Sequence, residues 1–256
     1  MRSPRSELPQ ITAEIFTRLR QRAQRVHCLT NAVAQTYTAN MLLAAGAIPS
    51  MTIAAPEIAG FVTRADALLI NLGTFDAERR RAALTAIAAA NKAGKPWVLD
   101  PVFIDRSKSR AAFARALAGK RPRAIRLNAA EFAALAGAAA EPGALARFAA
   151  KRRTVVGLTG ERDDVHDGNR LAAIANGDPL MAKVTAMGCA GSALVAAFLA
   201  VESDAWTATA AALLAFGVAG DIAAGRARGP GSFAIEMIDA LHGLTRDALL
   251  ARAKVS

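Results

Sequence analysis

Cysteine is scarce in this 256-residue sequence, which carries only Cys28 and Cys189. Two thiols cannot form the disulfide framework of a small secreted domain, so free thiols in a reducing cytoplasm are the expected setting. Aromatic residues are also few, at 5% of the chain. The three histidines, His27, His166 and His242, lack zinc-ligand spacing, which weakens a metallohydrolase reading. No Gly-x-x-x-x-Gly-Lys-Ser/Thr loop, no glycine-rich dinucleotide fingerprint after the first strand and no Gly-x-Ser-x-Gly elbow occurs. A P-loop, a dinucleotide fold of the usual kind and a serine hydrolase are therefore disfavoured, and nucleotide binding would need another architecture. Met1 to Ser6 adjoin no apolar signal core, and the apolar stretches near the carboxyl end are interrupted by Glu202, Asp204 and Asp221. No membrane partner is expected.

Apolar residues, by contrast, make up 53% of the chain, with alanine recurring throughout. That composition favours close-packed helices over an all-β sandwich, and the length suits one large α/β domain spanning 1–256. The net charge is +11, from arginines clustered between Arg2 and Arg25, at Arg79 to Arg81, and at Arg121, Arg123 and Arg126. Without interleaved aromatics to stack bases, these read as solvated helix faces rather than a nucleic-acid surface. A basic surface does suit an anionic small-molecule ligand.

Strand-like runs occur at 26–30, 48–53, 67–71, 96–100, 124–128 and 154–159, separated by segments of helical composition such as 77–91. Alternation of this kind predicts parallel βαβ units with right-handed crossovers, whose ligands meet the carboxyl ends of the strands. Asn71, Asp100, Asn128 and Thr159 end four of the runs and should share one rim. After Asp163 and Asp164 the pattern changes; Asp167-Gly168-Asn169 suggests a hairpin, and the chain from Gly188 onward reads as helical.

Val184 to Ser192 places a turn directly before an apolar helix. The free amides and positive dipole end of such a helix would stabilise an anion and depress the pKa of Cys189; a buried structural cysteine at an ordinary helix start fits the same residues. Asn128 and Glu131 lie one helical turn apart after a strand, so both can face one site, and their oxygens suit hydrated magnesium in phosphoryl transfer. A helix cap with an acid in its first turn uses the same spacing. Asp100, before Pro101, could hold a metal-bound water or form a turn, and Thr159-Gly160 could contact nucleotide or form a structural loop.

Taken in order, His27-Cys28-Leu29-Thr30-Asn31, Thr38-Ala39-Asn40, Pro49-Ser50-Met51, Asn71-Leu72-Gly73-Thr74 and Leu99-Asp100-Pro101-Val102 resemble the bacterial hydroxyethylthiazole kinase family. Arg126 to Glu131, Leu158 to Glu161, the Gly188-Cys189 turn and Gly229 to Phe233 extend the resemblance over nearly the whole chain. It implies a ribokinase-like three-layer α/β/α fold with a mainly parallel central sheet, and a homotrimer with thiazole sites between subunits. It also implies transfer of phosphate from ATP, with Mg2+, to the primary alcohol of 4-methyl-5-(2-hydroxyethyl)thiazole in thiamine biosynthesis and salvage. By motif, the thiazole would lie near Met51, Ala186 and Asn31, and ATP near Arg126 and Thr159. Asn128, Glu131 and Asp100 would organise the metal, while Gly188 and Cys189 border the transfer centre, with Cys189 accepting the alcohol proton.

Two departures stand out. Phe103-Ile104-Asp105-Arg106-Ser107 occupies a stretch that is glycine-rich in the family, and Ala186 stands where the family generally has glycine, adding a methyl that restricts the backbone. A kinase for another small primary alcohol, such as a hydroxymethylpyrimidine, and a catalytically weak thiazole- or nucleotide-binding protein are the competing expectations.

Overall fold

The structure is a computed structural model that describes residues 4–256, with side chains from residue 7. Arg2, of the amino-terminal basic run, lies outside the described residues, as does the Arg5 side chain. Six strands come from the alternating part of the chain: β1 (Arg25–Leu29), β2 (Ile48–Ser50), β3 (Ala67–Asn71), β4 (Trp97–Asp100), β5 (Ala124–Asn128) and β6 (Val155–Thr159). With the hairpin β7 (Asp163–His166) and β8 (Leu171–Ile174) they form one eight-stranded sheet in the order β2-β1-β3-β4-β5-β6-β7-β8. Pairing is parallel from β2 across to β6 and antiparallel from β6 to β8.

Side chains on the parallel strands alternate between two cores. Leu68, Ile70, Trp97, Leu99, Ile125 and Leu127 enter one; Ala67, Leu69, Val98 and Ala124 enter the other. Strands buried on both faces read as continuous apolar runs, which is why the sequence reveals them. The first core is roofed by α3 (Ile58–Arg64), α4 (Ala77–Lys92), α5 (Lys108–Ala118), α6 (Ala129–Ala136) and α7 (Pro142–Arg152). The second lies beneath α1 (Pro4–Arg22), α2 (Gln35–Ala44), α8 (Met187–Leu199), α9 (Ala205–Ala224), α10 (Pro230–His242) and α11 (Arg246–Arg252). The result is the expected three-layer α/β/α arrangement.

Small residues on the second face let α8 and α9 approach the sheet. A Cβ at Gly157 would already sit 3.3 Å from Thr209 Cγ2. Helix α8 packs on β1, β3 and β4, so its amino terminus arrives at the carboxyl ends of those strands. Helix α9 is long and apolar enough to cross a membrane, yet it is mostly buried among α1, α8 and α10 and serves as the core helix of this layer.

Some elements depart from expectation. The run predicted over 48–53 is regular only to Ser50, after which Thr52 Oγ1 receives the Ala54 amide and turns the chain. Helix α3 follows, a short element whose apolar residues are too few to set a visible period. The hairpin is where Asp167-Gly168-Asn169 placed it. Asp167 Oδ1 accepts the amides of Asn169 (2.9 Å) and Arg170 (2.7 Å), and Gly168 adopts φ 105° against Ala150, where a Cβ would clash at 2.8 Å.

Gly217, in the middle of α9, faces Asn176 so closely that a Cβ would lie 2.7 Å from the Asn176 carbonyl oxygen. Helix propensity alone favours alanine over glycine by about 1 kcal/mol. Gly217→Ala is nevertheless expected to destabilise the fold by about 1–3 kcal/mol, because backbone must move to admit the methyl. Urea unfolding at fixed protein concentration checks this, and a midpoint equal to or above wild type would contradict it.

Candidate active site

Sheet register brings the polar strand ends together. Asn71 pairs with Asp100 across β3 and β4, and Asn128 pairs with Thr159 across β5 and β6. The amino terminus of α8 closes the central part of this rim. Its N-cap residue, Ala186, adopts φ 73°, a left-handed conformation that glycine enters freely and alanine only with strain. That turn sets Gly188 and Cys189 in the first turn of the helix.

Cys189 Sγ accepts hydrogen bonds from Asn31 Nδ2 at 3.1 Å and Asn71 Nδ2 at 3.3 Å. Asn71 Nδ2 also donates to Asp100 Oδ2 at 2.7 Å, and Ser192 Oγ, one turn along α8, donates to the same oxygen at 2.8 Å. Arg126 Nη1 donates to the Gly188 carbonyl at 3.0 Å, while its Nε is buried with no protein partner among the described residues. Asn31, Asp100, Arg126, Gly188 and Cys189 are thus joined in one network with Asn71 and Ser192.

The expected depression of the Cys189 pKa is not what the structure shows. Burial pushes the thiol up to about 11, and the neighbouring Asp100 charge adds to the rise. The hydrogen bonds from Asn31 and Asn71 and the Arg126 charge pull the other way without overcoming it. Desolvation of the anion outweighs the favourable helix end. Asp100, 4% exposed, is itself raised to about 6, chiefly by burial and against the attraction of Arg126.

Asn128 and Glu131 form a capping box at the start of α6. Asn128 Oδ1 accepts the Glu131 amide, and Glu131 Oε2 accepts the Asn128 amide, both at 2.9 Å. Glu131 Oε1 receives the Phe103 amide at 3.1 Å. Phe103 makes this bond from φ 60°, so the departure at 103–107 keeps a backbone shape that glycine would favour. Glu131 is 7% exposed and its pKa is raised by burial.

Met51 and Thr159 stand on either side of the network and make no direct bond to it. Met51, partly buried, packs against the second core beyond β2; Thr159 Oγ1 donates to Leu127 O at 3.4 Å. Asn71 was expected on the rim without a task, and the task of Ser192 was missed. Asn71 had a usable signal, an amide closing the wholly apolar run Ala67 to Ile70. Ser192 had none, because its partner Asp100 comes from a distant segment.

With this geometry in view, comparison with known proteins gives a single answer. Residues 16–247 match the hydroxyethylthiazole kinase family. The chain belongs to that family. It is 45% identical over 244 residues to the probable hydroxyethylthiazole kinase of Agrobacterium fabrum, covering 95% of this chain and 94% of that one. The solved structure of the hydroxyethylthiazole kinase protein from Pyrococcus horikoshii OT3 superposes with a TM-score of 0.92 at 37% identity, over 96% of this chain and 98% of that chain. A ribokinase-like superfamily protein from Enterococcus faecalis shares the fold, with a TM-score of 0.70 at 15% identity over 93% and 95% of the two chains. The family relationship agrees with the ordered motifs, and the ribokinase-like fold with the sheet order.

Burial of Asp100 has a thermodynamic consequence. Its folded pKa lies above its ordinary value of 3.8, so the folded state binds the proton more tightly. Stability from this group is fully present below pH 3.8 and is lost as pH rises through about 6. Subtracting the unfolding free energy of Asp100→Asn from that of wild type should therefore give a difference that falls by roughly 2 kcal/mol between pH 4 and pH 7. Denaturant titrations of both proteins across that range test the sign, and a flat or rising difference would refute it.

Proposed function

We propose that this chain transfers the terminal phosphoryl group of ATP to the primary alcohol of 4-methyl-5-(2-hydroxyethyl)thiazole, as a cytoplasmic enzyme of thiamine salvage. The reading is carried by one arrangement: in a member of this kinase family, an anion-favouring helix start presents the Cys189 sulfur among amide donors, with a pre-oriented Glu131 sharing the Arg126 charge. The Asn31 Oδ1 is buried without a protein partner among the described residues. An acceptor next to the sulfur suits a substrate that brings a hydroxyl.

In this reading Cys189 takes the alcohol proton as its thiolate, while the first-turn amides of α8 and the Arg126 guanidinium face the phosphoryl oxygens, where charge is greatest in a loose transition state. Met51 and Ala186 border the thiazole, and Thr159 borders the nucleotide on the β6 side. The residues fit a hydrated divalent ion. Glu131 is a buried carboxylate held at both oxygens by amides, its pKa raised by burial, so a cation would be welcome there. Mg2+ asks for one or two such carboxylates, with water and phosphate filling its shell. Glu131 would hold it; Asn128 contributes by orienting Glu131, and Asp100 by orienting Asn71. When bound, the metal neutralises phosphate charge that would otherwise oppose transfer.

A homotrimer with thiazole sites between subunits is part of the proposal. It is supported by exposed apolar side chains on neighbouring elements at the β2 edge: Val33 before α2, Leu43 on α2, Ile48 on β2 and Ile235 on α10.

Phosphorylation assays with the thiazole alcohol and a hydroxymethylpyrimidine in parallel test the substrate. Turnover of the thiazole that is abolished by chelation is expected; preference for the pyrimidine, or binding without turnover, would replace this reading. Cys189→Ala should lower kcat by roughly 10²–10⁴-fold with ATP binding retained. Because the thiol is pushed up to about 11, kcat of wild type should climb with pH from 7 to 9, as the thiolate fraction grows. Cys189→Asp should be flat over that range, its carboxylate being already ionised. A pH-independent wild type and a fully active alanine variant would together end the proton-acceptor assignment.

A further inference from the structure

We infer that Asp100, Asn71 and Asn31 form an ordered chain that fixes the Cys189 sulfur as a hydrogen-bond acceptor, and that Gly73 is the position that admits this chain. The inference deepens the proposed role of Cys189 and depends on that role for its meaning in turnover.

A side-chain amide can present either its oxygen or its nitrogen, and the choice is set by its partners. Asn71 has no such freedom here. Asp100 Oδ2, 2.7 Å from Asn71 Nδ2, requires a donor, and the Gly73 amide, 3.0 Å from Asn71 Oδ1, requires an acceptor. The second Nδ2 hydrogen of Asn71 is thereby directed at the sulfur. Asn31 is set in turn, since its Nδ2 lies 3.4 Å from Asn71 Oδ1, an acceptor, as well as 3.1 Å from Cys189 Sγ. Both amides then offer N–H to sulfur. A thiol with its own proton to donate is poorly matched to two donors, whereas a thiolate is well matched, so the chain favours the anion against burial.

Asp100 is anchored from the opposite side by Ser192 Oγ at 2.8 Å, which keeps the chain tied to the helix that carries Cys189. The segments bearing the two asparagines are also joined, the Ala32 amide donating to Thr74 Oγ1 at 3.1 Å. Gly73 lies within this crossing. A Cβ there would meet Asn31 Cβ at 2.6 Å, Nδ2 at 2.7 Å and Cγ at 2.9 Å. Its φ lies outside the left-handed region, so alanine meets no backbone objection. The glycine is needed for the room it leaves Asn31. The charged groups facing the sulfur are Asp100 from β4 and Arg126 from β5. Asn31 and Asn71 act through Cys189 and are positioning residues in this scheme.

Two variants perturb the chain by different routes. Asn31→Leu keeps the bulk and removes the N–H donor, while Gly73→Ala retains every polar group and pushes Asn31 away. The readout is the rate of Cys189 alkylation by iodoacetamide from pH 7 to 9.5, followed by peptide mass spectrometry. Cys28, fully buried, is the internal control for unfolding. Loss of one donor to the anion is worth about one factor of ten in thiolate fraction, partly offset by the greater nucleophilicity of the more basic sulfur. Each variant should therefore react about three- to tenfold more slowly than wild type at every pH, with kcat reduced and KM for ATP little changed. Rates equal to or faster than wild type in the folded variants would overturn the inference. Slower alkylation in both, with full turnover by Cys189→Ala, would leave the chain established and remove the proton-acceptor role alone.

Discussion

Asp100 Oδ2 receives Asn71 Nδ2 from β3 and Ser192 Oγ from α8. One buried carboxylate oxygen thus joins two layers of the fold at the point where the chemistry is proposed. A carboxylate this deeply buried is tolerable only with its oxygens well bonded or its charge compensated, and its pKa rises to about 6 even so. The arrangement costs stability at neutral pH. In exchange it makes the register of β3 against β4, the depth of α8 and the orientation of Asn71 interdependent. Displacing any of these would leave a buried charged oxygen short of a partner.

Depth of α8 matters because the helix end and the solvent compete for the same sulfur. At an exposed helix start the dipole lowers a thiol pKa, whereas here removal of water is the larger effect and the thiol is raised to about 11. Small residues allow that depth: at Gly191 of α8 a Cβ would sit 3.2 Å from Phe216 Cε1 on α9 and 3.4 Å from Arg126 Cζ. Packing and reactivity therefore meet at this helix, because a bulkier side chain at Gly191 would push against α9 and against the arginine whose charge faces Cys189.

How far the sequence exposes this design depends on the range of each interaction. Strand ends were legible because a doubly buried strand is a mainly apolar run, broken here only by Arg126 in β5, and Asn71, Asp100, Asn128 and Thr159 each end one. The cap at Asn128 and Glu131 was legible as a spacing of three. The hairpin showed in Asp167-Gly168-Asn169, whose bonds are local. By contrast, the state of Cys189 rests on Asn31 and Asn71, 158 and 118 residues away, and on burial by a whole layer. Local reasoning saw the helix end and therefore predicted a lowered pKa. Gly73 was opaque for the same reason: what it must avoid is Asn31, a residue on another strand's loop. Helix α3, only seven residues long, offered too short a pattern to read.

Ala186 at φ 73° and Phe103 at φ 60° complete the picture. Neither is glycine, and each non-glycine residue in the left-handed region carries strain of about 1 kcal/mol or more. At Phe103 that backbone shape aims an amide at Glu131; at Ala186 it makes the turn that opens the first amides of α8. Strain held at two points around one site implies that its geometry is imposed by the surrounding packing and bonding. The placement of Glu131 and Cys189 is accordingly governed by the backbone at Phe103 and Ala186 rather than by their side chains.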